Sequence, residues 1–144
     1  MTTPPLRPGA DLYRARLQGA DLRGHDLRRA NLALANLKEA VLVEAKLAEA
    51  FLFAAQLSGA DLTGAHLEGA DLAEADLFGA NLRGAQAAGA DLRRANLALA
   101  NLRGTRLSNA NLRDANLNGA DLTDAQLDGA ELTGAVLGET GLKA

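Results

Sequence analysis

The chain has 144 residues, of which 48% are apolar but only 3% aromatic, and its formal net charge is −3. Its length suits one domain. The absence of cysteine excludes a disulfide framework and a thiolate metal site. No apolar run reaches membrane-spanning length, and the start MTTPPLRPG lacks the charged and apolar regions of a signal peptide, so the expected compartment is the cytoplasm.

Residues 1–9, with Pro4, Pro5 and Pro8, read as an irregular lead-in, with Leu6 placed to fold over whatever core follows. From residue 10 to residue 144 one unit governs the chain. Every fifth residue from Leu12 to Leu142 is leucine in 26 of 27 positions, Ala87 being the exception. Two residues upstream stands alanine in 24 of 27, the exceptions being His25, Thr105 and Thr140, and between the two columns lies mostly Asp or Asn. An α-helix would rotate leucines spaced by five around every face and leave no stripe to bury. Within a unit, though, Ala and Leu are two apart around a polar residue, which is strand alternation. The last two residues must then turn the corner. Of the 15 glycines, 13 occupy the fifth position, where a type II turn needs positive φ at its second central residue. Three extended residues and a two-residue corner, repeated without a break, wind into a β-solenoid.

The units ADLRG, ANLAL, ADLTG and ANLRG resemble those of the pentapeptide repeat family, over residues 10–142. The resemblance implies an all-β fold, a right-handed quadrilateral parallel β-helix with four units per coil; the period alone leaves the number of sides open. Four sides give about seven coils, and at ~4.8 Å per stacked strand a rod about 32 Å long. One inward ladder would then run Leu32, Leu52, Leu72, Leu92, Leu112. The segment RRANLALANL occurs at 28–37 and again at 93–102, a shift of 65 residues. That shift is three coils and one side, so the copies face different ways and mark scaffold grammar rather than a duplicated site.

No catalytic, cofactor or metal site is expected. Ser58 and Ser108 fall at turns, His66 points outward, and His25 takes an inward alanine position where the stack ends and can cover the core. The recurring Asp is placed to bond nearby backbone, and no phosphate loop or HExxH motif occurs. Function must then lie on the outside, where charge is banded. Residues 7–29 carry six Arg against three Asp, and 38–76 two Lys against eight acids. Residues 83–113 carry six Arg against one Asp, and 114–143 one Lys against six acids. Some family members bind DNA gyrase by mimicking duplex DNA, which carries one charge per ~1.7 Å of axis. Basic bands interrupt any such stripe here, so gyrase is the alternative partner rather than the first. Direct nucleic-acid binding is not expected, because no exposed aromatic accompanies Arg83, Arg93, Arg94, Arg103, Arg106 and Arg113.

The first expectation is a protein-interaction or scaffold module. VLVEAKLAEAFLFAA (41–55) sets Val41, Val43, Phe51 and Phe53 outward, and Tyr13 and Leu34 belong to the face of Phe51. These six form the candidate interaction patch; Phe78 stands apart from it. No helix is predicted to cap either end of the rod, and solenoids normally need caps. A homodimer through an uncapped end, C-terminus to C-terminus as the resemblance suggests, is the second expected contact.

Overall fold

The computed structural model of the chain describes residues 4–140. Leu142, the last position of the leucine ladder, lies outside them. Backbone pairing repeats every 20 residues: Asp11 pairs in parallel with Asn31, Asn31 with Phe51, and Phe51 with Asp71, and three further series start at Arg16, Asp21 and Asp26. Twenty residues per coil means four units per coil, so the solenoid is four-sided. The sides are named here by their central residues: the first holds Leu12 and Leu32, the second Leu17 and Leu37, the third Leu22 and Leu42, the fourth Leu27 and Leu47.

Pairing is thinner than three extended residues per side suggest. Each side makes a single parallel bridge to the next coil. At the Asn31–Phe51 bridge, Phe51 N–H donates to the Ala30 carbonyl (2.9 Å) while the Phe51 carbonyl accepts from Leu32 N–H (2.7 Å). The next residues already turn, with Ala35 N–H closing the corner onto the Leu32 carbonyl (3.0 Å). A chain that bends every five residues has room for one bridge per side, and a ladder of continuous strands never develops.

The corners show how far the repeat overrides local preference. The fifth residue has positive φ not only at glycines but also at Arg14, Leu34, Glu39, Glu44, Glu49, Ala54 and others, at 52–60°. Left-handed backbone costs an L-residue ~1–2 kcal/mol. Fully burying a leucine returns ~1.5–3 kcal/mol, and Leu32, Leu72 and Leu112 are wholly buried, with Leu52 and Leu92 almost so. Core stacking therefore sets the corner geometry, and glycine only relieves it.

The two ends differ. At the N-terminal end Leu12 and Leu22 are 1% exposed, and Leu6 packs against the core as the lead-in pattern suggested. At the other end Leu127, Leu132 and Leu137 are only half-buried. Among the described residues, the amides of those three leucines donate to no backbone carbonyl. Among the described residues, the leucines of the first coil are covered and those of the last are not.

Candidate interaction surface

The interior of the described residues is built almost wholly of leucine and alanine. Its one buried polar side chain among the described residues, Thr105, donates its hydroxyl to the Leu82 carbonyl at 2.7 Å. No cluster of three or more His, Cys, Asp or Glu able to hold a metal exists among the described residues. His25 is half-buried in the first coil, with Nδ1 3.3 Å from the Arg23 carbonyl, and exposed His66 lies 3.6 Å from Glu68.

Outside, the Asp and Asn of each unit hold the turn that follows. Asp11 Oδ1 accepts from Tyr13 N–H, Asn31 Oδ1 from Ala33 N–H, and Asp71 Oδ1 from Ala73 N–H, at 3.0–3.2 Å. Where the unit reads Asp-Leu-Arg, the arginine closes a fork on the same carboxylate. Asp21 accepts Nε (3.0 Å) and Nη2 (2.7 Å) of Arg23, and Asp26–Arg28 and Asp91–Arg93 repeat the pair. Hydrogen bonds from the guanidinium hold the Asp21 and Asp26 carboxyls at about 2, below their ordinary 3.8. Asp91 is lowered for the same reason, whereas Asp121 is lowered chiefly by its bond from the Thr123 hydroxyl. Other arginines of the 83–113 band reach the neighbouring acidic bands: Arg94 faces Glu74 at 3.8 Å and Arg113 faces Glu131 at 3.6 Å.

The expected apolar patch divides. Tyr13, Phe51 and Phe53 stand exposed on the first side, with Leu34 half-buried at its corner. Val41 and Val43 do not join them. Val41 pairs with Asp21 and Asp61 on the third side, because ten residues from Phe51 is half a coil and therefore the opposite side. Both valines are half-buried. The reading from sequence grouped them with Phe51 by closeness along the chain, which a 20-residue coil does not respect.

A second cluster takes their place. Phe78 (46% exposed), Leu99 (60%) and Val136 (53%) all belong to the second side, in the upper coils. Between Asp76 and Glu139 that side presents no charge; Asn96, Ala98, Asn116 and Asn118 fill it. The signal was present in the spacing, since 21 residues from Phe78 to Leu99 keep the side and climb one coil, but it needs the coil length before it can be read. Among the described residues, every exposed large apolar side chain thus lies on the first or second side, low on one and high on the other.

Such an exterior is carried by a four-sided parallel β-helix, a repeat scaffold. A family model for pentapeptide repeats matches, in eight copies, residues 10–48, 55–94, 75–114 and 95–134. The chain belongs to the pentapeptide repeat family, whose members fold as right-handed quadrilateral β-helices. No curated protein matches the chain at a significant level. Among solved structures it is similar to HetL, a pentapeptide repeat protein involved in heterocyst differentiation regulation from the cyanobacterium Nostoc sp. strain PCC 7120, with 31% identity, 92% of this chain and 86% of that one covered, and TM-score 0.39. A trypsin-treated form of QnrB1, a plasmid-mediated fluoroquinolone resistance protein, is 22% identical over 90% of this chain and 72% of its own, with TM-score 0.58. A pentapeptide repeat protein of the Arabidopsis thaliana thylakoid lumen is 30% identical, with 94% and 70% covered and TM-score 0.31. No described helix is long and apolar enough to cross a membrane.

Proposed function

We propose that this chain is a non-enzymatic protein-interaction scaffold of the cytoplasm: a lead-in of residues 1–9 followed by one rod of about seven coils over residues 10–144. The observation that carries this reading is the exposure of Tyr13, Phe51 and Phe53 together on one side of a rod whose interior is saturated with leucine and alanine. Scattered surface apolars need no explanation; clustered ones in a chain with four aromatics do. The partner is a protein. Copies of the chain also pair through the C-terminal coil, where, among the described residues, Leu127, Leu132 and Leu137 are half-buried and their amides donate to no backbone carbonyl.

The test is a cross-linking capture from a source lysate with wild type and with Phe51→Ser/Phe53→Ser. Loss of the captured species in the variant supports the first side as the contact, and unchanged capture and sedimentation remove it. A gyrase supercoiling assay on the same samples decides the alternative of a duplex mimic. Against that alternative stand Arg83 and Arg106, for which no ion-pairing carboxylate is found among the described residues. Free cations in mid-rod interrupt a run of negative charge.

A further inference from the structure

The lower four coils of the first side carry a pattern that two-fold symmetry completes. The column just past the central leucines climbs as Tyr13, Ala33, Phe53 and Ala73, large and small in turn. Each coil is bounded by two corner residues. Along the corner before the side these are Gly9, Arg29, Glu49 and Gly69, and along the corner after it Arg14, Leu34, Ala54 and Glu74. Each edge therefore holds one cation and one anion. Arg29 and Glu49 stand in adjacent coils, 3.4 Å apart. Arg14 and Glu74 are three coils apart, ~14 Å along the rod. Arg14 rests over the Tyr13 ring at 5.3 Å, and among the described residues no carboxylate lies within ion-pair distance of it.

A second copy laid face to face supplies the complement. With the two-fold axis parallel to the bridged segments and midway between the coils of Asn31 and Phe51, the rods run antiparallel. Such an axis keeps a residue's place along the side and reverses its height. Tyr13 then meets Ala73 of the second copy, Phe53 meets Ala33, and Leu34 meets Ala54, so large side chains fall on small ones. At the edges Arg14 meets Glu74 and Arg29 meets Glu49, each contact made twice because the interface is isologous. Next to the axis the two Arg29–Glu49 pairs close into a ring of alternating sign. The one like-charge meeting is Asp11 with Asp71, whose Oδ1 atoms already accept the Tyr13 and Ala73 amides. Charge fixes this register. Slipping by one coil sets either Arg29 or Glu49 against its own copy, and in the second case Arg14 against Arg94 as well. An axis along the rod would put Phe51 on Phe53, but it lays Arg29 on Leu34 and Glu49 on Ala54 and encloses Asp91, Arg93, Arg113 and Glu131. Antiparallel rods leave those upper coils in solvent, past the first coil of the second copy. One side is about a quarter of the 7213 Å² surface, and the lower four of its coils can supply the ~800 Å² per partner of a standard interface.

We propose that the first side is a self-association surface, through whose lower four coils two copies of the chain pack antiparallel about an axis between Asn31 and Phe51. The inference rests on the protein-interaction reading above and identifies the protein on this side as a second copy. It is tested on the full chain by sedimentation equilibrium, in wild type and in a Leu132→Glu background that separates pairing at the C-terminal coil from pairing at the side. A concentration-dependent dimer should persist in that background. There, Arg14→Glu and Glu74→Arg should each raise its dissociation constant at least ~tenfold. Arg14→Glu/Glu74→Arg should bring it back to within ~threefold, since the two positions are too far apart in one chain to repair each other. Phe53→Ser should weaken the dimer, and Phe78→Ser/Leu99→Ser on the second side should leave it unchanged. Unaltered thermal melts confirm that the variants fold. A monomer at every concentration in the Leu132→Glu background overturns the antiparallel pair, as does a double variant that associates no better than either single one. If the pair fails while lysate capture of a different protein still depends on Phe51 and Phe53, the second copy is wrong and the scaffold reading stands; if both fail, both go.

Discussion

Asp21 and Asp26 each answer to an arginine two residues on, and their carboxyls sit at about 2 rather than 3.8. A carboxylate whose folded pKa is depressed contributes stability that is present above its unfolded pKa and is lost as pH falls through the folded one. The window is therefore from about 3.8 down to about 2. Both pairs are exposed and screened by solvent, so the effect is small, but its position is specific. The double variant Arg23→Ala/Arg28→Ala should lower Tm slightly at pH 7, converge on wild type near pH 2 and so flatten the fall of Tm with pH in that window; an unaltered acid slope would remove these pairs from the acid response. A second residue-scale expectation concerns Leu99, a corner residue at φ 59° with 60% of its surface exposed. Its left-handed backbone costs more than its packing returns, so Leu99→Gly should stabilise by up to ~1 kcal/mol, net of the chain entropy that glycine adds to the unfolded state. Urea unfolding measures this, and a lower midpoint with unchanged slope would show that the side chain over Gly119 contributes more than the strain.

At the scale of one unit, the leucine column has a single fault. Ala87 stands between Leu67 and Leu107 on the fourth side, is 1% exposed, and keeps both bonds of the regular pattern, to the Arg106 carbonyl and from Ala90 N–H. The backbone has not closed into a different register around the smaller side chain. Ala87→Leu should then stabilise by ~0.5–2 kcal/mol by filling the column, and Leu107→Ala should cost ~2–5 kcal/mol. A destabilised Ala87→Leu protein would mean the coil has narrowed there. The inward columns were legible in the sequence because burial repeats every five residues without exception of spacing, and one period suffices to place Leu32 and Leu112 alike. The outward columns were not, because a side chain's neighbours outside are those 20 residues away, and the five-residue period alone leaves the coil length undetermined. The resemblance supplied that length and put Tyr13 and Leu34 on the face of Phe51; Val41 was grouped with them by closeness along the chain instead, and Leu99 was overlooked. The positive φ of Glu39, Glu44 and Glu49 was equally hidden: corner strain is imposed by the stacked core and is not a preference of glutamate.

The whole rod is a stack in which each coil touches only its neighbours, so stability is close to a sum of coil and interface contributions. A coil covered on both faces is held twice, and an end coil once. The N-terminal coil escapes this weakness: Leu6 packs against the core, and Leu12 and Leu22 are 1% exposed. In the last described coil, by contrast, Leu127, Leu132 and Leu137 are half-buried and their amides donate to no backbone carbonyl among the described residues. Local opening should therefore be graded along the rod rather than uniform. Hydrogen exchange should find the amides of Leu127, Leu132 and Leu137 nearly unprotected at low protein concentration and those of Leu52, Leu57 and Leu62 slowest. Leu12 and Leu17, which donate to the Asn31 and Asn36 carbonyls at 2.7 and 2.8 Å, should lie between. If copies pair through the C-terminal coil, protection at the three C-terminal leucines must rise with concentration, because association stabilises only the state that binds. Protection there that is high from the start would show that the end is covered within one chain, and protection that stays low at every concentration would remove end-to-end pairing while leaving the side surfaces as the rod's only contacts.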